Sequence, residues 1–262
     1  MAPSHDHEAV LEREPIGAST LDHLDHSPDR WVVARGEWQD ARPAMPSADP
    51  GLLLITELRR RDLILRRAFD LTVGSVMLVA TVPVMVVVAV LIRLTSRGPV
   101  LFRHGRVGRG GELFEVLKFR TMRHGTHDEL HAEADKHAEY VRNDFKLPSD
   151  SDSITRVGRV LRKLSLDELP QLLNVLKGDM SVVGIRPLVP PELLLRPLAD
   201  QLRYCQLRPG ITGLWQVSGR STVTTEDRYE LDRRYLTTWR PRHDVAILLR
   251  TTIALLRTHQ AG

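Results

Sequence analysis

The chain has 262 residues and 42% hydrophobic content, enough for one medium-sized domain with extensions, and its formal charge is only +4. Its basic residues are mostly arginines, gathered around one apolar run and in the middle of the chain, which points to anionic partners such as lipid head groups or phosphorylated substrates. No zinc-finger or RNP signature is present, so nothing calls for nucleic acid, and the single cysteine, Cys205, excludes an internal disulfide framework and suits a reducing, cytosolic face.

In chain order, the acidic, His-rich start has no apolar stretch that would read as a signal peptide. Residues 1–50 are predicted to be a flexible cytosolic tail, in which Trp31 and Trp38 are either docking anchors or isolated residues. The interleaved His5, His7, His23 and His26 would bind a metal only adventitiously, since a disordered tract does not fix coordination geometry. Residues 51–98 form a membrane unit. Over 52–69, Leu53, Leu54, Leu58, Leu63 and Ile64 alternate with Arg59, Arg60, Arg61, Arg66 and Arg67 as in a basic amphipathic helix at a membrane surface. Residues 71–92 carry no charge and, at about 22 residues, are long enough to span a bilayer. Pro83 sits in their middle and arginines crowd both flanks, so both ends prefer the cytoplasm. The expectation is a re-entrant helix broken at Pro83.

Residues 99–262 are expected to form a cytosolic catalytic domain. Strands over 100–102 and 113–119 make a hairpin around the 105–111 loop, 132–145 reads as a polar helix or lid, and 148–153 as a loop. A basic helical segment, 156–163, brings Arg156, Arg159, Arg162 and Lys163 close to an acidic pair, either as structural partners or to neutralise a pyrophosphate. After that pair come a buried strand over 180–184 and an amphipathic helix over 244–256. The fold class is α+β, mainly helical, with one small hairpin.

The acidic pair is the most informative feature. Residues 165–178 read as one short helix, with Ser165 as N-cap, Glu168 as its capping-box partner, Leu169, Leu172, Leu173 and Leu176 on an apolar face and Gly178 as the stop. A helix start favours an ionised Asp167 and also attracts phosphate, so nucleophile and electrophile would share one volume, although acids in a first turn also serve as plain caps. Arg186, Arg208 and Arg220 each stand beside Pro or Gly in loops that would hold a guanidinium rigidly against phosphate, or make surface ion pairs. Lys118, Arg120 and Thr121 either reach a phosphate or are the solvated edge of the hairpin, and Asp179 either binds metal or caps a turn. Gly210, Gly213 and Gly219 lack Walker spacing and read as tight turns.

Three blocks then follow in fixed order: Lys118-Phe-Arg-Thr-Met122, SLDELPQLLNVLKGDMSVVGIRP over 165–187 and RPGITGLWQVSGR over 208–220. Together with the basic, proline-containing apolar run they closely resemble the bacterial sugar transferase family, the monotopic polyprenyl-phosphate phosphoglycosyltransferases, from about Arg66 to the C-terminus. The resemblance implies transfer of a sugar-1-phosphate from a nucleotide diphosphate sugar, UDP-sugars foremost, to polyprenyl (undecaprenyl) phosphate, with magnesium as cofactor and a nucleoside monophosphate released. That is the first membrane step of exopolysaccharide or other glycan biosynthesis. It makes Asp167 the nucleophile and a magnesium ligand and Glu168 a second acidic group; the residue chemistry is compatible with this and offers Lys118, Arg120, Arg162, Arg186, Arg208 and Arg220 as the phosphate contacts. It places the chain at the bacterial inner membrane, in contact with its lipids, the catalytic domain facing the cytoplasm and downstream glycosyltransferases as partners. Two departures stand out: Val82 precedes Pro83 where relatives often have a small polar residue, and Ser151-Asp152-Ser153 replaces Asp-Pro-Arg. The additional membrane helices and nucleotide-binding-like domain of larger relatives are expected to be absent, a compact form.

Two other readings compete with this one. His127 and His131 lie four apart as in a metallopeptidase helix, but Asp128 follows the first histidine where a zincin needs Glu, and Glu129 comes one place late. A non-catalytic membrane scaffold or regulator of polysaccharide export explains the apolar run but gives no reason for the Asp167–Glu168 pair.

Overall fold

The structure, a computed structural model, describes Trp38, residues 60–123, Thr126, and residues 151–219 and 224–258. Most of the tail, the start of the basic helix, the 132–145 lid, the His127/His131 pair and Arg220 lie outside the described residues. Among the described residues the protein is mainly helical with two small two-stranded sheets.

Helix α1 runs from Arg60 to Thr95, with Asp62 in its first turn and Arg93 in its last, both matched to the helix dipole. It is about 54 Å long by its rise per residue. The break expected at Pro83 does not divide it: the helix continues through the proline. Proline removes one donor, that of its own amide, so the Val79 carbonyl loses its usual partner while the apolar turns on either side keep theirs. One residue before Val82, Thr81 supplies a hydroxyl to this turn, donating to the Met77 carbonyl at 2.7 Å. The most apolar 18-residue window of α1 has a mean hydropathy of 2.8 and only 11% of it is buried, so α1 is long and apolar enough to cross a membrane. Val76, Val79 and Leu94 are 65%, 75% and 78% exposed, an arrangement that suits lipid and not water.

The opposite face of α1 packs on the rest of the protein near both ends. Leu63, Phe69, Val73 and Met77 lie against the main core, whereas Met85, Val88, Ala89 and Ile92 pack with Phe119, Leu161, Leu166 and Leu169. Arg66, expected to face a membrane surface, is 5% exposed and turned inward. Its Nη2 donates to the Val183 carbonyl at 2.7 Å, its Nε lies 3.6 Å from Asp244, and its guanidinium stacks 5.2 Å from the Trp239 ring. One turn on, Asp70 accepts from the Ser181 hydroxyl at 2.7 Å and the Val182 amide at 2.9 Å. Burying these charges is tolerable only because each has partners.

Strands β1 (Leu101–Val107) and β2 (Leu113–Phe119) form the expected hairpin, antiparallel with Leu101 opposite Phe119 and Val107 opposite Leu113. Its turn includes Gly110 and Gly111 at φ 74° and 75°, and the Gly111 carbonyl accepts from the buried Trp38 indole at 2.7 Å, so Trp38 is a docking anchor, while Trp31 lies outside the described residues. Helix α2 (Arg156–Lys163) is capped by the Thr155 hydroxyl, which accepts from the Gly158 amide at 2.9 Å. A Cβ on Gly158 would lie 2.0 Å from the Thr121 carbonyl oxygen, so only glycine lets α2 approach the end of the hairpin this closely.

Helix α3 (Gln171–Lys177) leads into β3 (Ser181–Val183), the buried strand foreseen over 180–184. Helices α4 (Pro190–Leu194) and α5 (Leu198–Gln206) then cross over to β4 (Gly210–Thr212), which pairs in parallel with β3, a pairing no local pattern announces. Short α6 (Leu214–Val217) precedes α7 (Thr225–Thr238) and α8 (Pro241–Thr258). The amphipathic reading of the last helix holds on the core side, where Ile247 is 4% exposed, while Val245 and Leu249 face outward.

Candidate active site

The acidic pair does not sit in one capped helix. After α2, Ser165 adopts a left-handed backbone (φ 56°, ψ 22°), a tight turn of 3-10 helix covers Leu166–Glu168, and α3 begins only after Pro170. Ser165 makes no side-chain cap. Pro170 explains the division: it is well suited to open a helix and cannot donate within one, so the acids are left on a separate turn. The Glu168 carboxylate turns to Lys118 of β2, which donates to it at 2.7 Å. The stop at Gly178 holds, with φ 100° and its amide bonded to the Asn174 carbonyl at 3.0 Å.

The buried face of α3 also differs from the leucine stripe. Leu172 and Val175 are inside, Leu173 is 40% exposed, and the polar Gln171 and Asn174 are buried. Asn174 explains the rotation: it donates to the Glu115 carbonyl at 2.7 Å and accepts from the Leu117 amide at 3.0 Å, pinning α3 to the strand that carries Lys118. An unaided sequence offers no sign that this asparagine is structural.

Four cations bear on the two carboxylates. Lys118 and Arg162 favour the charged form of Asp167, and Lys118, Arg186 and Arg106 that of Glu168. Arg162 is braced by the Thr121 hydroxyl at 3.2 Å, and Arg186 has a buried Nη1 with no hydrogen-bond partner. The two acids respond differently. Burial, then the neighbouring Glu168 charge, pushes Asp167 up to about 6 against the pull of the cations and its own backbone amide. Glu168 is also raised by burial, but Lys118, Arg186 and Arg106 outweigh this and hold it below the usual carboxylate range, although 35% of its side chain remains accessible. Burial and the Glu168 charge thus work against the ionised Asp167 expected from a helix start, while the cations favour an ionised Glu168.

The remaining expected contacts are placed elsewhere. Arg120 is 6% exposed, and its terminal nitrogens donate to the Arg97 carbonyl at 2.5 Å and the Ser96 carbonyl at 3.0 Å, clamping the end of α1 to the hairpin. Arg208 donates through Nε to the Gly178 carbonyl at 2.6 Å, at the far end of α3 from the dyad. Burial and the nearby Arg109 and Arg67 lower its pKa. Asp179 lies at that same end, 3.3 Å from Lys177 and 3.3 Å from the Asn174 amide. Gly210 and Gly213 serve close packing: a Cβ on either would come within 2.0 Å and 2.1 Å of the Gly184 backbone. His104 and Arg106 are buried in β1, an inward placement the sequence does not announce, because inward-facing polar residues in a strand cannot be told from solvated ones by alternation alone.

Among the described residues no group of three or more His, Cys, Asp or Glu side chains converges as a metal cage. Two adjacent carboxylates do fit a magnesium ion that completes its shell with substrate phosphate and water.

Comparison with known proteins extends this picture. The chain is 42% identical over 203 residues to an undecaprenyl-phosphate galactose phosphotransferase of Salmonella typhimurium, covering 76% of this chain and 42% of that protein. It is 40% identical over 193 residues to the exopolysaccharide production protein ExoY of Sinorhizobium fredii, covering 72% and 84%. To a UDP-glucose:undecaprenyl-phosphate glucose-1-phosphate transferase of Caulobacter vibrioides it is 39% identical over 203 residues, covering 75% and 71%. The chain thus spans less than half of the Salmonella relative but most of the other two. The profile of the bacterial sugar transferases matches residues 61–258, a range that runs from the first turn of α1 to the end of α8 and encloses the dyad and its cations, and the chain belongs to that family.

Proposed function

We propose that the protein transfers a sugar-1-phosphate from a nucleotide diphosphate sugar, most simply a UDP-sugar, to undecaprenyl or a related polyprenyl phosphate, the first membrane step of exopolysaccharide or other glycan assembly. The observation that carries this reading is the Asp167–Glu168 dyad with its divided charge, ringed by Lys118, Arg162 and Arg186, in a member of this family. An Asp167 carboxylate oxygen attacks the sugar-bearing phosphorus. The bond from that phosphorus to the bridging oxygen breaks, and its electron pair leaves on the nucleoside monophosphate. A phosphate oxygen of the polyprenyl acceptor then attacks the same phosphorus and Asp167 leaves as carboxylate, giving a polyprenyl diphosphate sugar. Glu168, kept ionised, holds Lys118 beside the phosphates, and Arg162 and Arg186 offset the charge that builds between two anions. Magnesium, held by Asp167, would supply further charge neutralisation at the phosphates.

A re-entrant course for α1 at the bacterial inner membrane, with the helix bending at Pro83 without being interrupted, is supported by its anchoring. Arg66, before the apolar run, and Ser96, after it, are both hydrogen-bonded to the one catalytic domain. A straight span would put these two points on opposite sides of a bilayer about 30 Å thick. With the catalytic domain facing the cytoplasm, the apolar face of α1 meets membrane lipid and the product is presented to downstream glycosyltransferases. The test is incubation of nanodisc-purified protein with undecaprenyl phosphate, magnesium and a nucleotide-sugar panel. Nucleoside monophosphate should appear, and intact mass after donor alone should show a phosphosugar increment that Asp167→Asn loses. Release of no nucleotide from any donor would leave a membrane scaffold as the better reading, and turnover in a ternary-complex pattern without an adduct would sink the covalent step.

A further inference from the structure

The turn that carries Arg186 is stitched to the end of β1. The Val107 amide donates to the Leu188 carbonyl at 2.9 Å, while the Tyr204 hydroxyl donates to the Val107 carbonyl at 2.7 Å and accepts from the Leu188 amide at 3.0 Å. One residue earlier in the strand, Arg106 is 7% exposed and donates through Nη1 to the Pro187 carbonyl at 3.1 Å. Its Nη2 lies 3.1 Å from His104 Nδ1. A guanidinium has donors only, so Nδ1 must accept, which leaves the His104 proton on Nε2 and the ring neutral. His104 is itself 7% exposed and packs against the Phe102 ring at 5.8 Å.

We propose that Arg106, oriented by a neutral His104, is a positioning residue of the catalytic site that fixes the Arg186–Pro187 turn. The proposal rests on the transferase reading and adds a division of labour to it. Lys118 has a flexible stem, is 28% exposed and is held by one ion pair with Glu168. Arg106 is tied at both terminal nitrogens, to the Pro187 carbonyl and to His104, so its orientation and that of the turn it holds do not depend on Lys118. The turn it holds carries the buried, unpartnered Arg186 Nη1, a donor that waits for an anion.

The test uses the full chain in nanodiscs, with UDP-glucose and UDP-galactose as donors and undecaprenyl phosphate as acceptor. His104→Phe, which keeps a ring without the acceptor, should lower kcat about tenfold, the scale of one hydrogen bond to a charged group. His104→Gln, whose amide oxygen can accept the same bond, should return to within about threefold of wild type at the same melting temperature as His104→Phe. Arg106→Met should fall further, and Arg106→Lys should not rescue it, since one ammonium does not replace a two-point fork. Wild-type kinetics in both His104→Phe and Arg106→Met overturns the proposal. So does an equal loss in His104→Phe and His104→Gln, or a loss that tracks only the fraction of folded protein. If the wild type releases no nucleotide from either donor, the transferase reading fails and UDP affinity by calorimetry decides. Weakening by about tenfold in His104→Phe that His104→Gln restores keeps the positioning role, and equal affinity in all variants removes it.

Discussion

Replacing Asp167 by Asn should make the protein more stable while abolishing turnover. The carboxyl is held at about 6 against an ordinary 3.8, chiefly by burial and by the Glu168 charge. A raised carboxylate pKa means that the folded protein binds more protons than the unfolded one between these values, so the contribution of Asp167 to stability is present below about pH 4 and is lost as pH rises through 6. The full difference corresponds to about 3 kcal/mol at neutral pH, and its coupling to Glu168 brings the working range to about 1–3 kcal/mol. Asn is isosteric and carries no charge to desolvate, so at pH 7.5 Asp167→Asn should unfold about 3–8 °C later than wild type. At pH 4.5 the gap should shrink to about a third, because wild-type Asp167 is then protonated in the folded state. Thermal unfolding of both proteins in the same detergent at the two pH values measures this. An Asp167→Asn protein that is no more stable than wild type at pH 7.5, or whose advantage grows toward pH 4.5, would refute the reasoning. The stabilisation would identify the strain as the cost of keeping a nucleophile ready.

For the same reason kcat/KM should rise with pH through an acidic limb near 6, and Lys118→Met should move that limb upward, because Lys118 is the largest influence lowering Asp167; a limb unmoved in that variant would separate Lys118 from the dyad. Arg66→Met leaves Asp244 and Asp70 buried without their cation and should cost about 3–5 kcal/mol, read as a large fall in melting temperature; a change below 1 °C would mean the buried network is not coupled to folding. Single cysteines at Arg61 and Arg97, in a Cys205→Ser background, should label from the same side of the membrane, whereas opposite-side labelling would make α1 a full span.

Much of this fold is written locally. The apolar run of α1, the β1–β2 hairpin, the stop at Gly178 and the α8 amphipathic pattern follow from composition and period, and the structure has all of them. The dyad stood out only through the motif around it, since an acidic pair in a first turn is common. What escaped depends on partners far along the chain. Ser165 takes a left-handed backbone that nothing about serine announces. Asn174 is inside because the β2 backbone offers it a donor and an acceptor. Arg66 and Arg67 read as a basic flank, yet Arg66 reaches Val183 and Arg67 caps the Val175 and Leu176 carbonyls at 2.7 and 2.9 Å. Charge density along the sequence showed that cations were needed near the apolar run, but which of them faces lipid and which faces the core is set by tertiary contact.

The inward face of α1 has a consequence for biogenesis. This helix carries the exposed apolar surface proposed to meet lipid and is also a wall of the core, so the core cannot close without it. Arg66 and Asp70 leave the ribosome long before the strand and helix that will pair with them, Ser181, Val183 and Asp244. At 5–20 residues per second the wait is roughly 6–36 s. Over that interval the two side chains, one turn apart on the same helix, have each other and the hydrated head-group region for partners. On the proposed membrane placement of α1, insertion and domain folding are one process. A version trimmed to the residues after Ser96 would present the apolar surface that Leu63, Val73, Met77 and Val88 now cover, and would aggregate for want of its own first helix.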